Sequence, residues 1–134
     1  AGAHLASLML NINWKKHGLV TNPLKGIALI SGIYETEIIP SLTVNNEIQL
    51  SQKEARDNNP FKLRPKFIVP AIISFGDDEP ELWKEQSIKY MKYLNLYGYN
   101  CKKIVCKKDN HFSLIDTLAN YKHLLVKEII NLSF

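Results

Sequence analysis

Several features that would narrow a function at once are scarce or missing in this sequence. It has only two cysteines, Cys101 and Cys106. They stand an odd number of positions apart in one strand-like run, so alternation points them to opposite faces and they cannot easily bridge. No C-x-x-C or comparable metal spacing occurs. Two free thiols fit a reducing compartment, and the cytoplasm is the expected location. Long hydrophobic runs are also lacking. The longest, Phe67 to Phe75, is interrupted by Pro70 and falls well short of the ~20 residues a bilayer requires. The opening Ala-rich run could pass for a signal-peptide core but has no basic segment before it and no initiator methionine, and the missing methionine suggests a fragment. Charge of one sign is not concentrated either. There are 17 basic and 13 acidic residues, a net charge of +4, but the lysines are scattered, and no basic stripe with interleaved aromatics marks a nucleic-acid binder.

What is present is an ordinary globular composition. With 134 residues, 46% of them hydrophobic and 22% charged, the chain suffices for one core and is too short for two domains of usual size. From Ala1 to about Lys16, Leu5, Leu8, Met9 and Ile12 recur with helical spacing, and His17-Gly18 provides a stop. Ile27-Ala28-Leu29-Ile30 is a continuous apolar run suited to a buried parallel strand. Residues 35–65 are polar and contain Pro40 and Pro60. Short helices are expected there at Ser41–Asn46 and Ser51–Arg56, the second opened by a Ser51/Glu54 capping box. This excursion is expected to lie over the sheet edge, where loops select substrates. Phe67–Phe75 reads as the second strand, Glu81–Tyr97 as a helix with Leu82, Ile88, Met91 and Leu94 inward, and Cys101–Cys106 as the third strand. Ser113 to about Leu132 reads as the last helix, with Leu114, Leu118, Leu125, Ile129 and Ile130 inward. Strands alternating with helices predict an α/β fold whose three strands are parallel and flanked by helices.

Two loops attract chemistry. Asp109-Asn110-His111-Phe112-Ser113 follows the third strand and opens a helix, and Gly76-Asp77-Asp78-Glu79-Pro80 does the same after the second. An acid and a histidine on neighbouring loops at the carboxyl ends of parallel strands stand where open α/β sheets keep their sites. Each has a plainer reading: His111 can be structural, and Asp78 can cap the following helix, with Ser113 and Asp116 giving a similar capping signal. Asp77 competes for the role of acid. His4, His17 and His123 read as structural or solvated. Tyr34 can either hydrogen-bond a substrate or cover the core.

In order along the chain, Ala1-Gly2-Ala3-His4-Leu5-Ala6, Ser31-Gly32-Ile33-Tyr34, Asn46-Glu47, Asp78-Glu79-Pro80-Glu81-Leu82 with Gln86-Ser87, and His111-Phe112 resemble motifs of the kynurenine formamidase (arylformamidase) family of α/β-hydrolases. The likeness runs the length of the chain. It implies that residues 1–134 are a partial α/β-hydrolase domain, the C-terminal half, with the nucleophile serine and an H-G-G-type loop upstream of Ala1. It implies Asp78 and His111 as catalytic residues, His111 as general base and then general acid, and the backbone N–H of Ala1 as an oxyanion-hole donor. It favours Asp78 over Asp77. Tyr34 is the candidate for the substrate pocket. The implied reaction is hydrolysis of N-formyl aryl amides, N-formylkynurenine to kynurenine and formate in tryptophan breakdown, without a cofactor. The partner is then a small-molecule substrate, with no nucleic acid and no membrane, and a homodimer stays open. Departures at Glu79, Leu82 and Glu35-Thr36 bear on the substrate. A carboxylesterase with the same triad and a non-catalytic binding protein of the same fold are the alternatives. Residues 1–134 alone are expected to be inactive and poorly soluble.

Overall fold

A computed structural model describes residues 1–132. Three strands, β1 (Ile27–Ile30), β2 (Ala71–Gly76) and β3 (Cys101–Cys106), form one parallel sheet in the order β1-β2-β3. Ile27 pairs with Ala71 and Ile30 with Ser74, while Ala71 pairs with Cys101 and Gly76 with Cys106. Every residue of the central β2 is buried, which is why it reads as a continuous apolar run rather than an alternating one. It starts four residues later than the sequence suggests. Pro70 lacks the N–H a ladder needs, although its carbonyl accepts from Ile27 N–H at 2.9 Å.

Among the described residues six helices surround the sheet: α1 (Gly2–Met9), α2 (Asn45–Ile48), α3 (Gln52–Asp57), α4 (Glu81–Leu96), α5 (Ser113–Leu118) and α6 (Leu124–Asn131). Short 3₁₀ turns occur at Trp14–His17, Thr36–Ser41 and Pro60–Lys62. On one face α1 and α4 close a core of Leu10, Ile27, Leu29, Val69, Ile73 and Leu94 together with Tyr34, Tyr90 and Tyr99. On the other, α5 and α6 cover a smaller group, Ile72, Ile104, Cys106, Leu114 and Leu125. Cys101 packs with the first and Cys106 with the second, so the thiols do lie on opposite faces, and both are free. Among the described residues, no helix is long and apolar enough to cross a membrane.

Four expectations about the helices change, the first being the piece expected at Ser41–Asn46, where a 3₁₀ turn ends at Ser41 and α2 runs over Asn45–Ile48. α1 ends at Met9, and it buries Ala3, Ser7 and Leu10 instead of the Leu5 face, with Leu5 64% exposed. Small residues allow the helix to approach β1 closely, so its inward side is not its most apolar one. In α4 the inward residues are Gln86, Ser87, Tyr90 and Leu94, while Leu82 is 69% exposed. The final helix is two helices. Asn120 accepts from Lys122 N–H at 3.0 Å, and His123 Nδ1 then caps α6 by accepting from Leu125 N–H at 3.2 Å.

The 35–65 excursion folds against α1 and α4. Ser51 and Glu54 make the expected reciprocal capping box on α3. Thr36 donates to the Ala55 carbonyl at 2.6 Å, Lys66 N–H donates to Leu10 at 2.9 Å, and Phe61 meets Tyr90 and Tyr93 edge-on. It thus thickens the tyrosine-rich face, and none of its residues lines the cleft described next.

Candidate active site at the carboxyl ends of the strands

The chain leaves β2 through a tight turn. Glu79 N–H approaches the Gly76 carbonyl at 3.4 Å, which puts Asp77 and Asp78 at the corner and brings Glu79 back over the end of the sheet. Asp77 Oδ1 accepts from Lys108 N–H, and Asp78 N–H donates to the Asp109 carbonyl at 3.1 Å. These bonds tie the acid loop to the histidine loop. Gly76 is required there because a Cβ would overlap the Asp109 carbonyl. The second loop is pinned as well. The Asp109 carboxylate accepts from Ser113 Oγ at 2.7 Å and Thr117 Oγ1 at 3.0 Å, and Asn110 Oδ1 accepts from the N–H groups of Phe112 and Ser113 at 2.9 and 3.1 Å. Asn110, rather than Ser113, satisfies the first amides of α5. No side chain caps α4, whose N-cap is Pro80, so the capping reading of Asp78 does not hold either.

His111 is partnered by Glu79. Its Nδ1 lies 3.0 Å from Glu79 Oε1 and 2.6 Å from Ser31 Oγ, and the Ser31 hydroxyl itself donates to Glu79 Oε1. A carboxylate at Nδ1 makes that nitrogen the protonated one and leaves Nε2 with a free lone pair. Nε2 has no hydrogen-bond partner among the described residues. The Glu79 side chain is wholly buried, whereas that of His111 is 38% exposed, so the acid is shielded and the base accessible. Trp83 meets the imidazole edge-on with ring centroids 4.9 Å apart.

The sequence places Asp78 in this contact, and the structure brings its neighbour there instead. Asp78 is exposed, and its carboxylate makes no hydrogen bond among the described residues. The turn accounts for the one-residue difference, since adjacent side chains at its corner and at its end point to different sides. Glu79 and Ser31 are the residues that sequence reasoning missed. A glutamate preceding proline resembled a helix start, and Ser31 stood in the Ser31-Gly32-Ile33-Tyr34 resemblance with no role assigned to it.

A cavity of about 370 Å³ opens beside His111, lined by Ala1, Gly2, Ile30, Ser31, Leu114 and Leu118 among others. The start of α1 therefore lines the same cleft as the histidine. Tyr34 does not line this cleft. It is fully buried, stacked on Tyr90 at 4.3 Å and 11°, with its ring against Gly32, and burial pushes its hydroxyl pKa far above the usual tyrosine value. Of the remaining histidines, His4 Nε2 pairs with the Asn58 carbonyl at 2.8 Å, His123 caps α6 and His17 is exposed. No cluster of three or more metal-ligating side chains occurs among the described residues. A second hollow, of about 250 Å³ near Trp14, Leu19 and Phe67, contains no histidine, cysteine or carboxylate.

No family model matches the chain. Individual proteins do. A kynurenine formamidase of Danio rerio is 30% identical over 138 residues, covering 98% of this chain and 46% of that protein. One of Salmo salar is 29% identical over 140 residues, covering 98% and 47%. In three dimensions the chain is similar to a solved structure from Silicibacter sp. named as a proposed thioesterase. The TM-score is 0.74 at 16% identity, over 93% of this chain and 45% of that one, which bears on the fold alone. Over nearly all of its length the chain is similar in sequence to kynurenine formamidases, and it spans a little under half of the relatives it matches.

Proposed function

We propose that this chain carries the histidine and its acid for a serine-dependent amidase that hydrolyses N-formyl aryl amides, with N-formylkynurenine as substrate in cytoplasmic tryptophan breakdown. The substrate class comes from the similarity to kynurenine formamidases. The observation that carries the mechanism is the His111 Nδ1 contact with buried Glu79 at 3.0 Å, which leaves Nε2 unpartnered beside the cleft.

In this reading a serine immediately before Ala1 attacks the formyl carbon while His111 Nε2 accepts its proton. The Ala1 N–H, at the start of α1, supports the oxyanion. Collapse of the tetrahedral intermediate expels the aryl amine, which receives the proton from His111. Water activated by the same imidazole then cleaves the formyl ester and releases formate. Glu79 stabilises the imidazolium, the part that motif resemblance gave to Asp78, and no metal or organic cofactor takes part.

The test uses the full-length protein. Turnover of N-formylkynurenine should exceed that of a short-chain aryl ester, and His111→Ala should abolish it. Preferred ester turnover would point to a carboxylesterase. Unchanged activity in His111→Ala, or a residue before Ala1 that cannot act as a nucleophile, would sink the mechanism.

A further inference from the structure

Ser31 is the first residue past β1, and one oxygen atom of it touches both members of the histidine–carboxylate pair. Its hydroxyl donates to Glu79 Oε1 and lies 2.6 Å from His111 Nδ1. The residue is buried, and its N–H donates to the Ser74 carbonyl at 2.8 Å, extending the β1–β2 ladder by one step. Just beyond it, the N–H groups of Tyr34 and Glu35 both donate to Gln86 Oε1, at 2.7 and 2.9 Å. Held from both sides, Ser31 adopts φ 50°, a left-handed conformation that L-residues other than glycine and asparagine rarely take and that persists only where surrounding structure enforces it. Its side chain makes hydrogen bonds only to these two groups among the described residues.

We propose that Ser31 is a positioning residue for the Glu79–His111 pair: its hydroxyl fixes the carboxylate orientation that meets Nδ1 and so aims Nε2 at the cleft. This rests on the reading of His111 as general base. Ser31 is not the nucleophile in this arrangement, because its O–H is donated to the carboxylate and it sits on the Nδ1 side of the ring, opposite the nitrogen that would take a proton. Charged side chains on the elements beside the pair are Asp77 and Asp78 on the acid loop, Glu81, Lys84, Glu85, Lys89 and Lys92 on α4, and Lys107, Lys108 and Asp109 on the histidine loop. Among the described residues, Glu79 is the one charged side chain that pairs with the imidazole. The α1 and α5 walls of the cleft contribute no charged side chain.

Removing the hydroxyl leaves the pair free to rotate, which lowers kcat; Ser31 lines the cleft, but its hydroxyl is already engaged by the pair, so its loss changes KM little.

The experiment compares Ser31→Ala, Ser31→Gly and His111→Ala in the full-length protein with an N-formyl aryl amide as probe. Ser31→Ala should lower kcat about tenfold with KM nearly unchanged. Ser31→Gly accepts φ 50° freely, so it should restore any stability lost in Ser31→Ala while keeping the lowered kcat. A wild-type kcat in both Ser31 variants, beside an inactive His111→Ala, overturns this inference alone. Activity surviving His111→Ala overturns the general-base reading and this inference with it. Loss of the acyl-enzyme burst in Ser31→Ala would make Ser31 a nucleophile and equally overturn its positioning role.

Discussion

The two faces of the sheet are built differently. The α1/α4 face is sealed by the 16-residue α4, by α1 and by the 35–65 excursion, and its core contains Tyr34, Tyr90 and Tyr99 stacked or packed among aliphatic side chains. The α5/α6 face is covered by helices of six and eight residues, and it leaves Ile115, Leu118, Tyr121 and Leu124 exposed. The cleft with His111 opens on that second side, between α5 and the start of α1. Packing and chemistry are thus separated: substitutions on the sealed face should register as lost stability, and those at the strand ends beside the open face as lost rate.

The largest expected effect tests the chemical side. In the full-length protein Glu79→Gln should lower kcat by about 10²–10⁴-fold, because a neutral amide cannot stabilise the imidazolium. Asp78→Asn, at an exposed corner, should change it by about twofold or less. A reversal of these two results would return the catalytic acid to Asp78 and show that the turn rearranges when substrate binds. Next in size, Leu94→Ala on the sealed face should cost about 2–5 kcal/mol in chemical denaturation, while Leu118→Ala, partly exposed beside the cleft, should cost about 1 kcal/mol or less. Equal losses would erase the distinction between the faces. Tyr34→Phe removes a buried hydroxyl that has no hydrogen-bond partner, so stability should stay within about 1 kcal/mol and KM should not move. A raised KM would restore Tyr34 to the substrate pocket.

The smallest effect is a pH dependence. Burial pushes the Cys101 thiol from 9.0 to about 11. Between those values the unfolded chain has released that proton and the folded chain has kept it, so stability falls as pH rises from about 9 to about 11. Thermal melts should show this decline, and Cys101→Ala should make it shallower.

The strands, their parallel order and the loop carrying His111 were legible because each rests on a local pattern: apolar runs of strand length, each followed by polar residues and a helical period. The misreadings arose where packing or a single turn decides. The Leu5 periodicity in α1 is real, yet the sheet accepts the smaller Ala3–Ser7 side. The Leu114 to Ile130 spacing continues across residues 119–123, and only the local hydrogen bonds of Asn120 and His123 divide the helix. Motif order led to the right loop after β2 and stopped one residue short of Glu79, since sequence spacing does not say which way a side chain leaves a turn. Ser31 opened the Ser31-Gly32-Ile33-Tyr34 resemblance, but nothing local marked a role for it, because its contacts come from residues 48 and 80 positions away.

The parallel register of β1 also makes it a clock with two speeds. The N–H groups of Ile27 and Ser31 are engaged by β2 carbonyls or their approach, at 2.9 and 2.8 Å, and alternation along a parallel strand turns those of Ala28 and Ile30 to the other edge. β1 stands at the end of the sheet order among the described residues. In residues 1–134 taken alone, deuterium should therefore enter Ala28 and Ile30 within the time in which Leu29 stays protonated, and slowing of the fast pair would time the arrival of any strand that docks beside them.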